Sequence, residues 1–503
     1  MPFCRVRGTV FASMPAQMSK FYVACDLGAQ NGRVMLGTLN QGSLTLSEVR
    51  RFQNLPIREQ DSLQWNISEL YQETIEGLRA VGTYEEAIDS VSCDSWPADY
   101  LLFESDNSLI TPAYHYRDPR TKEGMQKVLS RVATDALYQE TGVCPVPGNT
   151  LFQLGAERPR RLHRASHLLP VADAFNYLLA GVPRIERSMT GCTQLYNPVT
   201  QTWSNRLLDA VQVLPKLFPP LVPAGTELGA LRPEIATRTG LEDTRVIASC
   251  SHETAAALAG LPVRQGENWA YLRLGSRITL GTEITAPIIT DTSREQGFTN
   301  ETGYGGSIRL SKQSVGLWIL EECRRFWKEK DREIDDTLLS HIAGSSPPFD
   351  SLINPADPRF TTPGDMPLKI QAFCRETNQP VPRKPGPIIR CVLESLALQC
   401  RKMLHEIEDL TGREVARLYL LNGSDNDLLN HFTANAVRRP LVVAPADTTA
   451  IGNVIVQALA LGHIESLEQA REIVRTSFKT ETLLPYAAAW DTAYDRLTHL
   501  CAS

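Results

Sequence analysis

The 503-residue chain lacks several features that would assign it to a common class of protein at once. No stretch approaches the roughly 18–20 consecutive apolar residues that a membrane-spanning helix needs. The net charge is −6 and no basic tract stands out, so nucleic acid and anionic membranes are not favoured as partners. A content of 42% hydrophobic and 21% charged residues excludes a disordered or fibrous chain. What remains is a globular protein whose length predicts about two to four domains.

Paired cysteines are a second missing feature. The chain has 11 cysteines, but none of them stands in a CxxC pair, and most lie within apolar runs, as Cys25, Cys93 and Cys250 do. This distribution argues against a disulfide scaffold and against a thiolate zinc site. We therefore expect reduced thiols and a cytoplasmic location.

The first glycine turn, in DLGAQNGRV at 26–34, has neither the GxxxxGK[ST] nor the GxGxxG spacing of common nucleotide sites. Apolar runs on both sides of it predict a strand, a turn and a second strand. Gly28 and Gly32 could let backbone N–H groups point at one phosphate, or they could serve only to reverse the chain. Asp26 beside a phosphate would be repulsive unless Mg²⁺ lay between them. The residues alone leave both readings open.

The same arrangement recurs about half a chain later. LG at 27–28 returns as LG at 274–275, and LGT at 36–38 returns as LGT at 280–282. An echo at this distance predicts two domains of similar construction. We place their boundary after residue 262. The expected organisation is a disordered extension at 1–18, a first domain at 19–262 and a second domain at 263–503.

Strand and helix patterns alternate along the rest of the chain. The segment NISE at 66–69 is typical of a helix N-terminus, and amphipathic patterns predict helices at 315–327 and 388–410. Alternating strands and helices indicate an α/β fold, for which we expect largely parallel central strands. The proline-rich segment 345–367 reads as an ordered surface excursion.

The motifs resemble those of a known family. DLGAQNGRV is similar to the first phosphate motif of the FGGY carbohydrate kinases, and within that family to the DLGASSGRV of the rhamnulokinase branch. RLGSRITLG at 273–281 resembles the family run SSGTWSLMG. Segments with counterparts in the same order include CDSWPADY, YRDPRT, GNTLFQL and IGNVIVQALALG. The resemblance implies an α/β fold of two actin-like ATPase (ribonuclease H-like) domains with an interdomain cleft.

The resemblance also implies a reaction, the transfer of the γ-phosphoryl group of ATP to a hydroxyl of a ketose such as L-rhamnulose, with Mg²⁺. The base in these kinases is the Asp of a His-Asp-Thr triplet, and this chain has His252, Glu253 and Thr254 there. Glu253 keeps the carboxylate that a base requires but adds one methylene group. It could also serve only to stabilise the start of the following helix, where a carboxylate is favoured.

The resemblance implies three groups of binding residues. Sugar contacts are expected from Asp94, Trp96, Pro97, His252, Thr254 and Asn300. ATP contacts are expected from Ala29, Gln30, Asn31, Gly32, Arg33, Gly275, Ser276, Asn422 and Gly423. The metal ion is expected at Asp26.

Several positions depart from the family pattern. Pro97 and Asn422 stand where the family has glycine, and Arg277 stands for a tryptophan, where it could contact a phosphate or simply be solvated. The pattern YRDPR at 116–120 could contact sugar or form a structural salt-bridge cluster. Two alternatives therefore stay open beside a rhamnulose kinase: a catalytically impaired sugar-binding or regulatory paralogue, and a kinase for a different ketose or polyol. The oligomeric state is not assigned.

Overall fold

The computed structural model describes residues 19–84, 86–330, 334–421, 426–486 and 489–502. The expected extension at 1–18 and the expected ATP contacts Asn422 and Gly423 lie outside the described residues. Within them, the chain forms two large mixed sheets flanked by helices.

The first sheet has six strands in the order β5-β6-β4-β1-β2-β3. Its strands are β1 Lys20–Leu27, β2 Asn31–Asn40, β3 Ser43–Gln53, β4 Ser90–Ser95, β5 Thr226–Ala230 and β6 Arg245–Ala248. The strand–turn–strand pattern around the first glycine turn is confirmed, since β1 and β2 form an antiparallel hairpin. On its other side β1 pairs with β4 in parallel.

The second sheet has seven strands in the order β9-β10-β8-β7-β11-β12-β13. Its strands are β7 Trp269–Leu274, β8 Arg277–Ile284, β9 Phe298–Thr302, β10 Ile308–Val315, β11 Arg417–Leu420, β12 Leu441–Val443 and β13 Glu481–Leu483. Both sheets repeat one topology, because β3-β2-β1-β4-β6 corresponds to β10-β8-β7-β11-β12. This repeat is the expected pair of actin-like domains. The exact limits 19–262 and 263–503 stay a prediction.

The expected parallel central strands are confirmed for β6-β4-β1 and for β7-β11-β12, whereas the remaining pairings make both sheets mixed. Among the described residues, two of the five strand pairings in the first sheet are parallel, and so are two of the six in the second. The reason is the glycine turns, which join neighbouring strands as tight antiparallel hairpins, whereas only the later strands return through helical connections.

Four helices matter for the site: α1 Ile67–Val81, α2 Glu253–Ala259, α3 Pro385–Thr411 and α4 Thr448–Ala460. The predicted N-terminus of α1 is confirmed, because the Asn66 side chain accepts a hydrogen bond from the Glu69 N–H at 3.3 Å. The predicted long helix extends from Pro385 and ends before Gly412, which takes the left-handed φ of 63° that favours glycine.

The remaining elements surround the two sheets. Other helices are Arg120–Leu129, Thr134–Thr141, Thr150–Gly155, Pro159–Arg164, Val171–Ala180, Asn205–Ala210, Pro233–Thr239, Asp291–Glu295, Trp318–Lys328, Asp336–Gly344, Met366–Glu376, Asp427–Val437, Leu467–Ser477 and Ala489–Ala502. Short strands are Ile57–Glu59, Ser62–Trp65, Tyr100–Phe103, Ala113–Tyr114, His167–Pro170, Ile185–Glu186, Tyr196–Asn197, Thr202–Trp203 and Leu221–Val222.

The two halves of the chain meet through α2 and α4. Helix α4 follows β12 of the second sheet, yet it packs against α2 and against β1 of the first sheet. A Cβ atom on Gly452 would lie 1.7 Å from the Ala256 carbonyl oxygen, and one on Gly260 would lie 2.6 Å from the Thr448 carbonyl oxygen. The two backbones therefore touch, which ties the start of α2 to the second half of the chain.

Two other features concern the surface and the thiols. The proline-rich segment is less superficial than expected, because Leu352, Ile353 and Phe360 are fully buried in the second core.

All ten cysteines in the described ranges are unpaired. In those ranges no helix combines the length and the apolar character needed to cross a bilayer.

Candidate active site

Two carboxylates lie side by side at the edge of the first sheet. Asp26 and Asp94 occupy paired positions near the carboxyl ends of the parallel strands β1 and β4. Asp94 is fully buried; its Oδ2 accepts a hydrogen bond from Asn453 Nδ2 at 2.6 Å, while its Oδ1 has no partner among the described residues. Burial raises the pKa of Asp94 well above its ordinary value, and the charge of Asp26 raises it further. The negative charge at this edge is therefore that of Asp26, beside a carboxyl group that burial disfavours in its ionised form.

Arg33 compensates part of that charge and joins the two halves of the molecule. Its guanidinium lies 2.5 Å from Asp26 Oδ2 and 2.5 Å from Asp447 Oδ1, at the residue that precedes α4. Burial by itself lowers the pKa of Arg33, but the two carboxylates outweigh burial and raise it above its usual value. Arg33, expected as an ATP contact, is thus engaged by carboxylates in this structure.

The first phosphate turn is tight. The Gly28 N–H donates to the Asn31 carbonyl at 2.8 Å, which leaves Ala29 and Gln30 at the tip. A Cβ atom on Gly32 would lie 2.2 Å from the Phe52 ring, so the small size of this glycine also allows close packing here. A phosphate contact at Gly32 and at the tip of the turn stays a prediction.

The second phosphate turn, between β7 and β8, is held in place by hydrogen bonds. The carbonyl of Gly275 accepts from the Leu317 N–H at 2.8 Å, and the Ser276 hydroxyl donates to Glu321 Oε1 at 2.6 Å. Arg277 Nε donates to Gln313 Oε1 at 3.0 Å along the exposed side of the sheet. Arg277 is therefore an exposed strand residue bonded to Gln313 in this structure, and a phosphate contact by Arg277 stays untested.

His252 begins the segment expected to contain the base. It is buried, and its Nδ1 accepts a hydrogen bond from the Thr254 N–H at 3.1 Å. Burial lowers the pKa of His252 well below its ordinary value, and the charges of Arg309 and Arg273 lower it further. A neutral imidazole whose Nδ1 accepts must carry its proton on Nε2, which is then a hydrogen-bond donor.

Glu253 is the first residue of α2 and faces the second half of the molecule. Its Oε1 lies 3.1 Å from Nη1 of Arg273, which projects from β7 of the second sheet. The side chain of Glu253 is 24% exposed, so solvent and substrate can reach it. The His252 side chain, not the Glu253 carboxylate, accepts the capping hydrogen bond at this helix start. The Glu253 carboxylate is therefore free of a capping hydrogen bond.

A buried network of hydrogen bonds holds the backbone of Ser251 and His252. Glu186 accepts hydrogen bonds from the N–H groups of Ser188 at 3.0 Å and Ser251 at 2.9 Å, and from the Ser188 hydroxyl. Ser188 Oγ in turn accepts from the His252 N–H at 3.0 Å. Burial raises the pKa of Glu186 to about 7, although these hydrogen bonds act in the opposite direction. The network holds the backbone from which Glu253 projects.

The expected sugar residues Trp96 and Pro97 stand beside an aromatic cluster. The indole N–H groups of Trp96 and Trp65 both donate to Asp99 Oδ2, at 2.9 and 2.6 Å. Trp96 is 3% exposed, so most of its ring belongs to the core. Ala98 next to Pro97 has a φ of 76°, which is strained for a residue with a Cβ atom. The strain marks a backbone that its surroundings hold in place.

In this structure Asn300 and the YRDPR segment make hydrogen bonds within the fold. Asn300 Nδ2 donates to the carbonyls of Gly142 and Ile288 at 3.1 and 3.0 Å, and its Oδ1 accepts from the Ile288 N–H at 2.8 Å. A sugar contact by Asn300 stays a prediction, and it requires some of these bonds to be exchanged. Asp118 accepts from the N–H groups of Leu63 and Arg120 at 2.6 and 2.9 Å, which favours the structural role for that segment.

The sequence reasoning missed Arg273. A signal was present, because Arg273 is the single charged residue in the apolar strand WAYLRL. What could not be read from the sequence is its partner, since Glu253 lies 20 residues earlier, in a helix that follows the first sheet.

Two sheets of one topology, each with a glycine turn between its first two strands, define a two-domain protein of the actin-like ATPase fold. Residues 21–260 match the N-terminal domain of the FGGY family of carbohydrate kinases, and residues 270–461 match its C-terminal domain. The chain therefore belongs to the FGGY family of carbohydrate kinases. It is accordingly an enzyme, and this family uses ATP and a sugar as its substrates.

Individual relatives agree with this assignment. The chain is 39% identical to a rhamnulokinase of Bacteroides thetaiotaomicron, over 95% of this chain and 98% of the relative. It is 35% identical to a rhamnulokinase of Enterococcus faecalis, over 92% and 93% of the two chains. Ligand-bound xylulose kinase from Lactobacillus acidophilus has a similar fold, with a TM-score of 0.81 at 14% identity over 96% and 98% of the chains. Plasmodium falciparum glycerol kinase with ADP gives 0.78 at 12% identity, over 96% and 97%.

Proposed function

We propose that this protein transfers the γ-phosphoryl group of ATP to a hydroxyl of L-rhamnulose in the cytoplasm, with Mg²⁺ as the metal ion. The names of the relatives support the sugar. The observation that carries the chemistry is the carboxylate of Glu253, which projects from one lobe toward Arg273 of the other and is open to substrate.

Glu253 would act as the general base. Its carboxylate accepts the proton of the attacking sugar hydroxyl while the hydroxyl oxygen bonds to the γ-phosphorus. The bond from that phosphorus to the β,γ-bridging oxygen breaks, and ADP leaves with the electron pair. The extra methylene of glutamate is compatible with this role, because the side chain here reaches across to the opposite lobe.

The residues at the first sheet edge fit a bound cation. Asp94 Oδ1 is buried without a partner among the described residues, and the charge of Asp26 opposes ionisation of Asp94. A positive ion near both would relieve this repulsion. Asp26 would hold Mg²⁺, and the ion would supply neutralisation of the phosphate charge. No cluster of three or more metal-ligating side chains occurs in the described ranges.

The nucleotide and the sugar would occupy opposite sides of Glu253. We assign the phosphates to the turn formed by Ala29, Gln30, Asn31, Gly32 and Arg33 and to the turn at Gly275 and Ser276. Asn422 and Gly423 stay predicted nucleotide contacts. The sugar would meet Asp94, Trp96, Pro97, His252, Thr254 and Asn300. Among these, His252 offers a neutral Nε2–H donor to a sugar hydroxyl.

The base assignment has a direct test. Glu253→Gln removes the proton acceptor and should lower kcat on L-rhamnulose about 10²- to 10⁴-fold, in an assay that follows ADP release. Glu253→Asp should change kcat strongly in either direction, because the carboxylate retreats by one methylene. Both variants should keep the thermal shift that MgATP induces.

Failure of this proposal is recognisable. Absence of turnover by the unmodified enzyme with every ketose and polyol tested, together with no ATP-induced thermal shift, would contradict it. Turnover confined to another sugar would favour the kinase for a different ketose or polyol, to which the strained Pro97–Ala98 backbone gives a structural basis.

A further inference from the structure

The contact between Arg273 and Glu253 crosses from one lobe to the other. Arg273 lies in β7 of the second sheet, whereas Glu253 begins α2, which follows β6 of the first sheet. We propose that Arg273 is a positioning residue of the kinase reaction, which holds the carboxylate of Glu253 in the cleft from the opposite lobe. The inference rests on the proposed role of Glu253 as the base.

The position of Arg273 suits a fixed support. Neighbouring residues of β7 are buried, and Arg273 is the one exposed residue of that strand, with half of its side chain accessible. Its backbone pairs with Thr279 of β8 and lies two residues before Gly275. A strand held in this way presents its side chain from a nearly constant place. The guanidinium is therefore placed by the same hairpin that forms the second phosphate turn.

The groups around Glu253 indicate why a contact with the second lobe matters for its position. Asp94 and Tyr116 lie near Glu253 on the first lobe: burial raises the pKa of each, and the charge of Glu253 raises it further. Arg33 is already bonded to Asp26 and Asp447. Within the described ranges, the salt bridge of Glu253 is to Arg273, which holds this carboxylate toward the second lobe.

Both members of the pair depart from the family motifs quoted above. The run SSGTWSLMG has serine where this chain has Arg273, and the triplet has aspartate where this chain has Glu253. A longer acid and a new cation that meet in space are consistent with a compensating pair. The arrangement would orient the base only when the two lobes are together, and so would couple proton transfer to cleft closure.

Kinetics test this role. Arg273→Gln should lower kcat about 10- to 100-fold with a smaller change in KM for the sugar, since misplacement of a reacting group by about 1 Å costs on this scale. Arg273→Lys keeps a cation at this position and should recover part of the lost kcat.

A matched control is available on the first lobe. Arg245 forms a similar half-exposed pair with Glu227 at 3.4 Å on the first lobe, and Arg245→Gln should leave kcat unchanged. An unchanged kcat in Arg273→Gln would overturn the inference. If Arg273→Gln does not fold, Arg273→Met, which keeps an aliphatic side chain without the charge, replaces it in the test, and an unchanged kcat in that variant would overturn the inference.

A measurement that needs no turnover separates this inference from the proposed function. In crystal structures without ligands, the Glu253 carboxylate should contact Arg273 in the unmodified protein and leave that position in Arg273→Gln. An unmoved Glu253 in the variant would overturn the inference even if the enzyme is active. An inactive unmodified enzyme would instead contradict the proposed function, while the crystallographic comparison would still decide what Arg273 holds.

Discussion

At the scale of single residues, the site owes its properties to carboxylates that burial keeps from ionising easily. Asp94 lies beside Asp26, and Glu186 lies behind His252. The side chains of Asp94 and Glu186 are almost inaccessible to water. Such groups cost stability when they ionise, and proteins retain them where a charge or a hydrogen bond has a function. The sequence predicted that Asp26 and Glu253 belong to the site, but it did not reveal that Arg33 and Arg273 would be their partners.

Glu186 should make stability depend on pH. Its pKa is raised by burial from 4.5 to about 7, so between these values the folded protein holds a proton that the unfolded chain has released. The free energy of unfolding should therefore fall as pH rises through this window, by an upper limit of about 3 kcal/mol, and level off above it. Glu186→Gln does not titrate. The apparent Tm of the unmodified protein should thus fall relative to this variant between pH 5 and 8.

A surface carboxylate provides the control for this measurement. Glu227 is half-exposed on β5, so Glu227→Gln should follow the unmodified protein at every pH. Parallel Tm curves for Glu186→Gln and the unmodified protein would show that Glu186 does not titrate in this range.

At the scale of elements, the crossing of α2 and α4 decides where the base stands. The helices approach so closely that glycine is required on both sides, at Gly260 and Gly452. Val456 of α4 packs with Ala255, Ala256 and Ala259 of α2 in one buried cluster. A shift of either helix would move Glu253 relative to Arg273.

Gly452→Ala should therefore destabilise the protein and impair catalysis. Its added Cβ atom would meet a backbone carbonyl oxygen, which cannot rotate away, so a loss of at least about 1–3 kcal/mol is expected. Thermal unfolding should register a lower Tm. The control is Gly344→Ala, in a helix where an added Cβ atom meets nothing within 4 Å, and this change should be neutral or slightly stabilising. Equal Tm values for the two variants would contradict the close crossing.

At the scale of the whole molecule, side chains from both lobes bridge the cleft. Arg33 reaches Asp447, Asn453 reaches Asp94, and Arg273 reaches Glu253. Ligands that bind between the lobes will compete with or reinforce these bridges. We therefore expect relative motion of the lobes to be part of the reaction, as it is in enzymes that close around their substrates.

Closure should be visible in solution. Addition of L-rhamnulose together with a non-hydrolysable ATP analogue should reduce the radius of gyration measured by small-angle X-ray scattering. The sugar alone should give a smaller change, because the second phosphate turn is then not engaged. Scattering that stays the same, while a thermal shift shows that both ligands are bound, would contradict lobe closure.

The amino-acid sequence by itself determined the local features of this protein. Glycine spacing and apolar alternation specify the two hairpins, the capping pattern at 66–69 starts α1, and Gly412 ends α3, because each depends on residues close together in the chain. The motifs likewise indicated the family and the carboxylates of the site.

Only the tertiary structure decided which charges meet. Arg33 and Asp447 are 414 residues apart and Asp94 and Asn453 are 359 apart, whereas Glu253 and Arg273 are 20 apart but belong to elements of different sheets. No local pattern relates these partners. Their contacts depend on two sheets of one topology facing each other and on α4 of the second half packing onto the first. That long-range packing also buried the segment 345–367 more deeply than its prolines suggested, since burial is a property of the assembled core and not of composition.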